Sequence, residues 1–587
     1  MAEAIISPGV FTRENDISFI QPAPVAAGAA FIGPTVKGPI NQPTIVTSYN
    51  DFLRKFGDTF NYSEELGVTP ETKKEFLTSI AVKNYFSQGG QTALVTRVVS
   101  EQEQDYTRAE NTEIYSLKGP QPFELQTIGR GEIYNNSTDF NDPGAENSDG
   151  SLVLGTRDNI RWEIGNINTA LGTFTLLIRQ GDDNTNNKTI LETYANLSLD
   201  PDSDNYIERV IGNQYLSYDS GDQVNRLYGD YPNRSNYVRV SAVNLPTLSY
   251  LKNDGLTIND DVDGDSFTES LPLPASGSFY GAEGRVIDFA NFFKDINSSN
   301  TQGLVGSDYT DAINLLTNKD DFQFNVIAAP GLIYDFGDHS TPLDAIISLA
   351  ETRGDCIAVI DLVEYGTSVS NTAASAVLLN TSYGASYWPW LQMRSATGQN
   401  VWVPASTIIP GVYAFTDAAT APWFAPAGLV RGGLPGVIQA ELKLTKGNRD
   451  TLYGAKVNPI ATFPGTGISV FGQKTLQTKA SALDRVNVRR LLIELKKFIG
   501  DQAKNLVFEQ NTIATRNRFL ATVNPYLESV VQRQGLYAYR VVMDDTNNTA
   551  DVVDRNQLVG QIYIQPTKTI EFVVLDFIVE PTGATFV

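Results

Sequence analysis

Apolar and polar positions follow two rhythms along this chain, and the helical one is clearest near its end. Between residues 483 and 500, Val488, Leu491, Leu492, Leu495, Phe498 and Ile499 recur at helical spacing. Arg489, Arg490, Glu494, Lys496 and Lys497 take the other side, which predicts an amphipathic helix with its dry face on Leu491 and Leu495. A second stripe, Phe519, Leu520, Val523, Leu527, Val530 and Val531, predicts another helix over 515–534. Asn524-Pro525 predicts a kink or a fresh helix capped by Asn524, and Gly535 predicts the end. Three strand-like runs follow at 537–543, 560–565 and 569–579. The last is apolar at both parities, with Phe572, Val574 and Ile578 against Val573, Leu575 and Phe577. Such a strand expects cover on both faces and needs partners.

Earlier segments alternate faster. Pro8-Gly9 is followed by two extended runs, around Val10 and Phe11 and from Ile17 through Phe19, with no hairpin turn to pair either locally. They are a frayed terminus or an arm that pairs with a distant or foreign sheet edge. Strands at 29–32, 44–47 and 93–99 enclose a helix opened by Ser48 and stopped by Gly57, then one carrying Ile80, Ala81, Tyr85 and Phe86. That is a layered α/β pattern. From residue 100 to about 320, Asn, Asp, Ser and Gly dominate around strands such as 172–180 and 237–243, predicting one or two inserted β domains. Residues 321–450 return to α/β character, with buried-strand runs at 324–328 and 356–361 and a helix over 341–352 that begins at Pro342.

Charge separates these regions. The chain has 587 residues, enough for about three to five domains, is 41% hydrophobic, and carries a net charge of −23. Residues 101–320 hold 35 acidic and 15 basic residues, whereas 474–540 hold 12 basic and 5 acidic. The contrast predicts an object with an acidic outside and a basic-leaning inside, and the overall sign argues against nucleic acid as a direct partner. No run approaches the roughly 18 apolar residues of a membrane span, and the first residues do not read as a signal peptide, so no membrane insertion is expected. The single cysteine, Cys356, predicts folding in a reducing cytoplasm.

Catalytic constellations are sparse. The one histidine, His339, reads as a surface-loop residue with no nucleophile elbow near it. One Cys and one His make no zinc set, no phosphate-binding glycine loop occurs, and no cofactor is expected. Asn259, Asp261 and Asp263 with Gly264 match the first half of a calcium loop, but position twelve is Ser270 and Glu269 falls one residue short. A solvated acidic loop is the preferred reading.

Four blocks resemble the amino-terminal part of contractile bacteriophage tail sheath proteins, in order: SPGVF; GPTVKGP; SYNDFLRKFG; and QGG before a strand ending VTRVV. Further blocks are TILETYANLS in the insertion, STIIPGVYAFTDAATAPWFAPAG at 406–428, NPIATFPGTGISVFGQKTL at 458–476, and VNVRRLLIELKKFIGDQAKNLVFEQN at 486–511. Phe471-Gly472-Gln473 departs from the family's Trp-Gly-Ala-Arg, so no role of those side chains carries over. The resemblance implies a mixed α+β, multidomain protein: an α/β sheath core, a carboxyl-terminal α/β inner domain, inserted β-rich outer domains and extended terminal arms. The expected divisions are 1–20, 21–100, 101–320, 321–450, 451–569 and 570–587. It further implies a non-enzymatic homo-oligomer of stacked rings around an inner tail tube protein, bounded by baseplate and tail terminator proteins. Such a sheath is a virion component, made and assembled in the host bacterial cytoplasm, that contracts to drive the tube through a cell envelope. In this family terminal arms add strands to neighbouring subunits, which points to Pro8, Gly9, Val10, Phe11, Ile17 and Phe19 at one end and Ile570, Phe572, Val574 and Ile578 at the other. Lys496, Lys497, Lys504, Arg516 and Arg518 are candidates to face the tube. The sheath of a phage-derived injection device, a static virion shell or fibre component, and a carbohydrate-active enzyme remain as alternatives.

Overall fold

The computed structural model describes residues 27–62, 72–99, 108–130, 146–152, 155, 159–219, 221–280 and 296–572. The amino-terminal arm candidates Pro8, Gly9, Val10, Phe11, Ile17 and Phe19, together with Val574 and Ile578, lie outside these residues.

An eight-stranded sheet organises the centre. In spatial order its strands are Thr44–Val46, Ala93–Arg97, Ala27–Gly33, Phe324–Ile333, Ile357–Asp361, Gly384–Trp388, Val457–Phe463 and Gly467–Val470. The inner six run parallel and the two outermost pair antiparallel. Parallel strands need helical crossovers and cover on both faces, which explains their apolar runs without alternation: Ala93–Arg97, Ile357–Asp361 and Gly384–Trp388 are buried at every position. Tyr49–Phe56, Leu77–Ser87 and Ile409–Ala419 cover one face through Phe52, Phe56, Ile80, Val412 and Tyr413. Gly337–Arg353, Val369–Val377 and Lys446–Gly454 cover the other through Leu343, Ile346, Ala376 and Leu452.

Local signals account for several boundaries. Ser48 caps the first helix by accepting the Asp51 N–H at 3.1 Å. Gly57 ends it at φ 70°, where a side chain is strained and a Cβ would sit 3.0 Å from Val36.

Between residues 99 and 296 the chain leaves this sheet and builds another. Seven strands, in the order Ile190–Ser198, Thr173–Gln180, Ile160–Asn168, Ala275–Tyr280, Arg108–Asn111, Phe123–Arg130 and Val238–Val243, form one antiparallel sheet with its own core around Trp162, Phe123 and Phe174. Tyr215–Asp219 and Val224–Tyr228 add a hairpin.

Three sequence expectations are corrected here. The helix expected to begin at Pro342 spans Gly337–Arg353 with Pro342 inside it. His339 is no surface-loop residue: it is fully buried in that helix's first turn, its Nδ1 accepting the Ile333 N–H at 3.2 Å, and burial pulls its pKa down to about 4. The strands Val457–Phe463 and Gly467–Val470, placed by the boundary at 450 in the following segment, complete the central sheet: the first continues its parallel ladder and the second pairs antiparallel with the first.

Candidate functional site

The helix foreseen from its stripe spans Val486–Lys504 and is wedged between two cores. Val486 and Ile493 join the central core, while Leu491 and Leu495 join a carboxyl-terminal cluster with Trp423, Phe519, Val523, Leu527 and Val530. Both sides of its first turns are therefore dry. Arg489 and Arg490, read from the sequence as solvated, are 4% and 3% exposed. Arg490 pairs with Asp417 at 2.5 Å and lies 4.6 Å from the Tyr413 ring, whose hydroxyl meets that of Tyr387 at 2.7 Å. Burial alone depresses the Arg490 pKa, but the Asp417 carboxylate reverses this and keeps the guanidinium charged. Arg489 stacks on Tyr383 at 4.0 Å and donates to Ser382. The buried cations thus join the helix to the central body.

Ile513–Gln532 follows as one helix containing Pro525. Against it packs a two-stranded antiparallel ribbon, Leu536–Val542 with Gln561–Pro566. Tyr539 opposite Ile564, and Val541 opposite Ile562, turn towards the helix. On the other face Ala538, Arg540, Gln561, Tyr563 and Gln565 are exposed. Neither outer edge is paired with another strand among the described residues, so each presents a row of backbone donors and acceptors.

After the ribbon, the chain crosses back towards the central body. Asn487 Nδ2 donates to Thr569 Oγ1 at 3.2 Å, and the Glu571 carboxylate receives Arg485 through two bonds of 2.7 and 3.0 Å. Tyr453 Oη at 2.9 Å and Gln473 Nε2 at 3.1 Å complete its shell. Burial pushes the Glu571 pKa up, yet these donors, Arg485 foremost, hold it below the usual glutamate range. The strand expected from 569 does not start within the described part: residues 567–572 belong to no strand. Ile570 and Phe572 are 81% and 78% exposed on either side of the Glu571 anchor.

The basic candidates separate into different environments. Lys496 is exposed and reaches the Tyr383 hydroxyl at 3.2 Å, Lys497 is half-buried, and Lys504 is exposed 3.5 Å from Asp320. Arg518 is exposed, 3.4 Å from Glu509, in a groove between the two long helices. Arg516 is different: it is 5% exposed, bonded to Asp545 at 2.7 Å and Asn511 at 2.9 Å, and offers no open face to a tube.

The calcium-like acidic loop folds around a lysine. The Lys118 ammonium binds Asp261 and lies 3.6 and 3.7 Å from Asp263 and Asp265. Asp261 Oδ1 also accepts the Asp263 and Asp265 N–H groups, while the Asn259 amide donates to the Ser249 carbonyl. A lysine thus provides the positive charge that a metal ion would supply.

In doubly wound sheets, ligands enter beyond the carboxyl ends of the strands where their order reverses. Here that point lies between Ala27–Gly33 and Phe324–Ile333. It is filled by the chain itself: Gln302 receives the Leu77 N–H at 2.7 Å and donates to the Pro330 carbonyl at 3.1 Å, and Thr301 donates to Gly331. Fully buried Tyr309 closes the same corner near Gly33.

With this geometry in view, residues 302–476 match the phage tail sheath protein central domain and residues 478–580 the phage tail sheath C-terminal domain. Over these two stretches, just under half of its length, the chain matches the phage tail sheath family. The two family domains meet where the central sheet gives way to the wedged helix. The tail sheath protein of Vibrio phage KVP40 is 36% identical over 264 residues, covering 41% of this chain and 39% of that protein. That of Enterobacteria phage T4 is 35% identical over 252 residues, covering 42% and 37%. The chain thus spans about two fifths of the curated relatives it matches. A sheath tail protein from Listeria innocua superposes with a TM-score of 0.53 over 92% of this chain and 96% of that one at 10% identity, a likeness of fold alone.

Sequence reading missed Trp423 as a core residue of the terminal cluster, Asp417 as the partner of Arg490, and Glu571 as an anchor. Trp423 and Asp417 left a trace in that both lie in the STIIPGVYAFTDAATAPWFAPAG block, whereas Glu571 left none. The spacing of Val486 and Ile493, on the side opposite the main stripe, was the available sign that the helix is buried twice.

Proposed function

We propose that this chain is a subunit of a contractile tail sheath, polymerising around an inner tube and contracting to drive that tube through a cell envelope. The observation that carries this reading is the ribbon of Leu536–Val542 and Gln561–Pro566, bare along both edges among the described residues, in a chain that matches sheath-family domains. A two-stranded ribbon is marginal alone and gains from added strands. Residues 1–20 and 570–587 are the proposed donors, pairing with ribbons of neighbouring copies by backbone bonds. Such ladders persist while the globular bodies rotate, so work comes from exchanging one packing for another rather than from turnover. Exposed Lys496, Lys504 and Arg518, with half-buried Lys497, are the proposed contacts to the tube; Arg516 has a structural place instead. The inserted sheet then faces outward with its acidic loops. Baseplate and terminator proteins would close the two ends of the polymer, and the assembled particle would be a virion tail.

Deleting residues 1–20 is expected to leave a folded monomer that forms no tubes; electron microscopy showing ordinary sheaths from that truncation would overturn the arm assignment. Reversing charge at Lys496, Lys497 and Lys504 is expected to weaken co-sedimentation with the tube more than self-association. Equal loss of both would remove those lysines from the tube face.

A further inference from the structure

One excursion from the central body, a hairpin that also pairs with Val437–Ala440, meets a buried carboxylate at its tip and another at its base. Leu391–Arg394 and Asn400–Val403 form a hairpin whose chain continues into the short turn Ala405–Thr407. Leu391, Met393, Val401 and Val403 sink into the central core, so the hairpin covers apolar side chains. Its tip is fastened where Glu75 Oε2 accepts the Ala396 N–H at 2.7 Å. Its base is fastened where Asp361 accepts the Ser406 N–H at 3.1 Å and meets the Ser406 hydroxyl. Glu75 is 1% exposed and Asp361 5%. Among the described residues neither carboxylate has a cation within ion-pairing distance, and Glu75 Oε1 has no hydrogen-bond partner.

A buried carboxylate without a cation is far cheaper to keep neutral than ionised. Its surroundings here sharpen that preference. Around Glu75 stand the Tyr49 hydroxyl, itself without a partner, the Asp58 carboxylate, and Lys83 on Leu77–Ser87, too far to pair. Beside Asp361 stands the Ser406 hydroxyl, and Asp335 on the neighbouring segment bonds to Ser375.

We propose that the 391–407 excursion is a proton-controlled clasp, closed by neutral Glu75 and Asp361 and loosened when the two ionise. Burial pushes both carboxyls up to about 7, Glu75 against the opposing pull of the Ala396 N–H and Asp361 against that of Ser406. Both folded values lie above the unfolded ones, so the native state holds more protons. The clasp is fully favoured below the unfolded carboxylate range near pH 4, weakens as pH rises towards about 7, and changes little above it. Opening it lifts Met393 and Val401 out of the core and bares an apolar strip beside Leu77–Ser87.

Hydrogen exchange on the full-length chain tests this. With rates corrected for the intrinsic pH dependence, protection of peptides covering 391–407 should fall roughly tenfold or more between about pH 5.5 and 8.5, while peptides from Phe324–Ile333 stay unchanged. The double variant Glu75→Gln, Asp361→Asn should show no such fall. A flat wild-type profile, or an unchanged fall in the double variant, overturns the proposal. If the amide variants do not fold, infrared spectroscopy of wild-type chain carrying labelled Asp and Glu reads the same protons directly. Protonated carboxyl bands disappearing near pH 7 support the clasp, and bands already lost below about pH 5.5 overturn it.

Discussion

The central sheet and the terminal ribbon manage the same liability in opposite ways. Eight strands, covered on both faces, end in short antiparallel edges. The Thr44–Val46 edge has its Ile45 carbonyl bonded by Lys55 at 2.8 Å, and the Gly467–Val470 edge is overlaid by residues 432–434, with Leu434 bonded to Ile468 at 3.1 Å. Among the described residues the ribbon has two strands, one bare face and two bare edges. Concealed edges make a body that is complete by itself, and open ones mark where other strands are expected. Stability is concentrated in the first region, and the proposed assembly contacts lie in the second.

The largest effect should come from the closed region. Phe31→Ala, at a position with no exposure in the middle of the sheet, is expected to cost about 3–5 kcal/mol in denaturant unfolding. A loss below about 1 kcal/mol would mean that the central core is not the seat of stability. Glu571→Gln tests the strap between the regions and should cost about 1–3 kcal/mol, the worth of charge-assisted bonds. Because the Glu571 pKa is depressed in the folded state, that stabilisation is present above the unfolded glutamate range and is lost as pH falls through it. Wild type and variant should therefore converge in thermal melts on acidification, and a constant gap would show that the anchor is not electrostatic. Smallest in stability, and sharpest for the comparison, is Tyr563→Ala on the bare face. Its unfolding free energy should shift by less than about 0.5 kcal/mol while tube formation measured by light scattering falls. Unchanged assembly would separate the ribbon face from the interface.

The sequence was most informative where one physical demand governed a segment. Ser48 and Gly57 delimited a helix because caps are local. The buried runs at 324–328 and 356–361 announced covered strands because a sheet covered on both faces tolerates no alternation. Arg489 and Arg490 were misread because charge says nothing of burial until partners are known, and Asp417, Ser382 and the rings of Tyr383 and Tyr413 lie far away in sequence. His339 failed for a similar reason: a polar GDHS run looks like a loop until helix packing buries it. At the candidate site, helices and ribbon strands were visible from period, whereas the Glu571 anchor was not, since nothing local distinguishes it from a solvated glutamate.

The stoppered corner at Gln302 has a mechanical meaning as well. A crevice at the middle of a sheet is a gap that water can fill and that can narrow or widen under force. With Gln302, Thr301 and Tyr309 packed into it, a push arriving through Ala27–Gly33 reaches Phe324–Ile333 through contacting atoms, in an interior of low compressibility. Displacement at one end of the body is then passed on at the other with little taken up between. The same filling that closes the site to a ligand makes the domain a stiff strut.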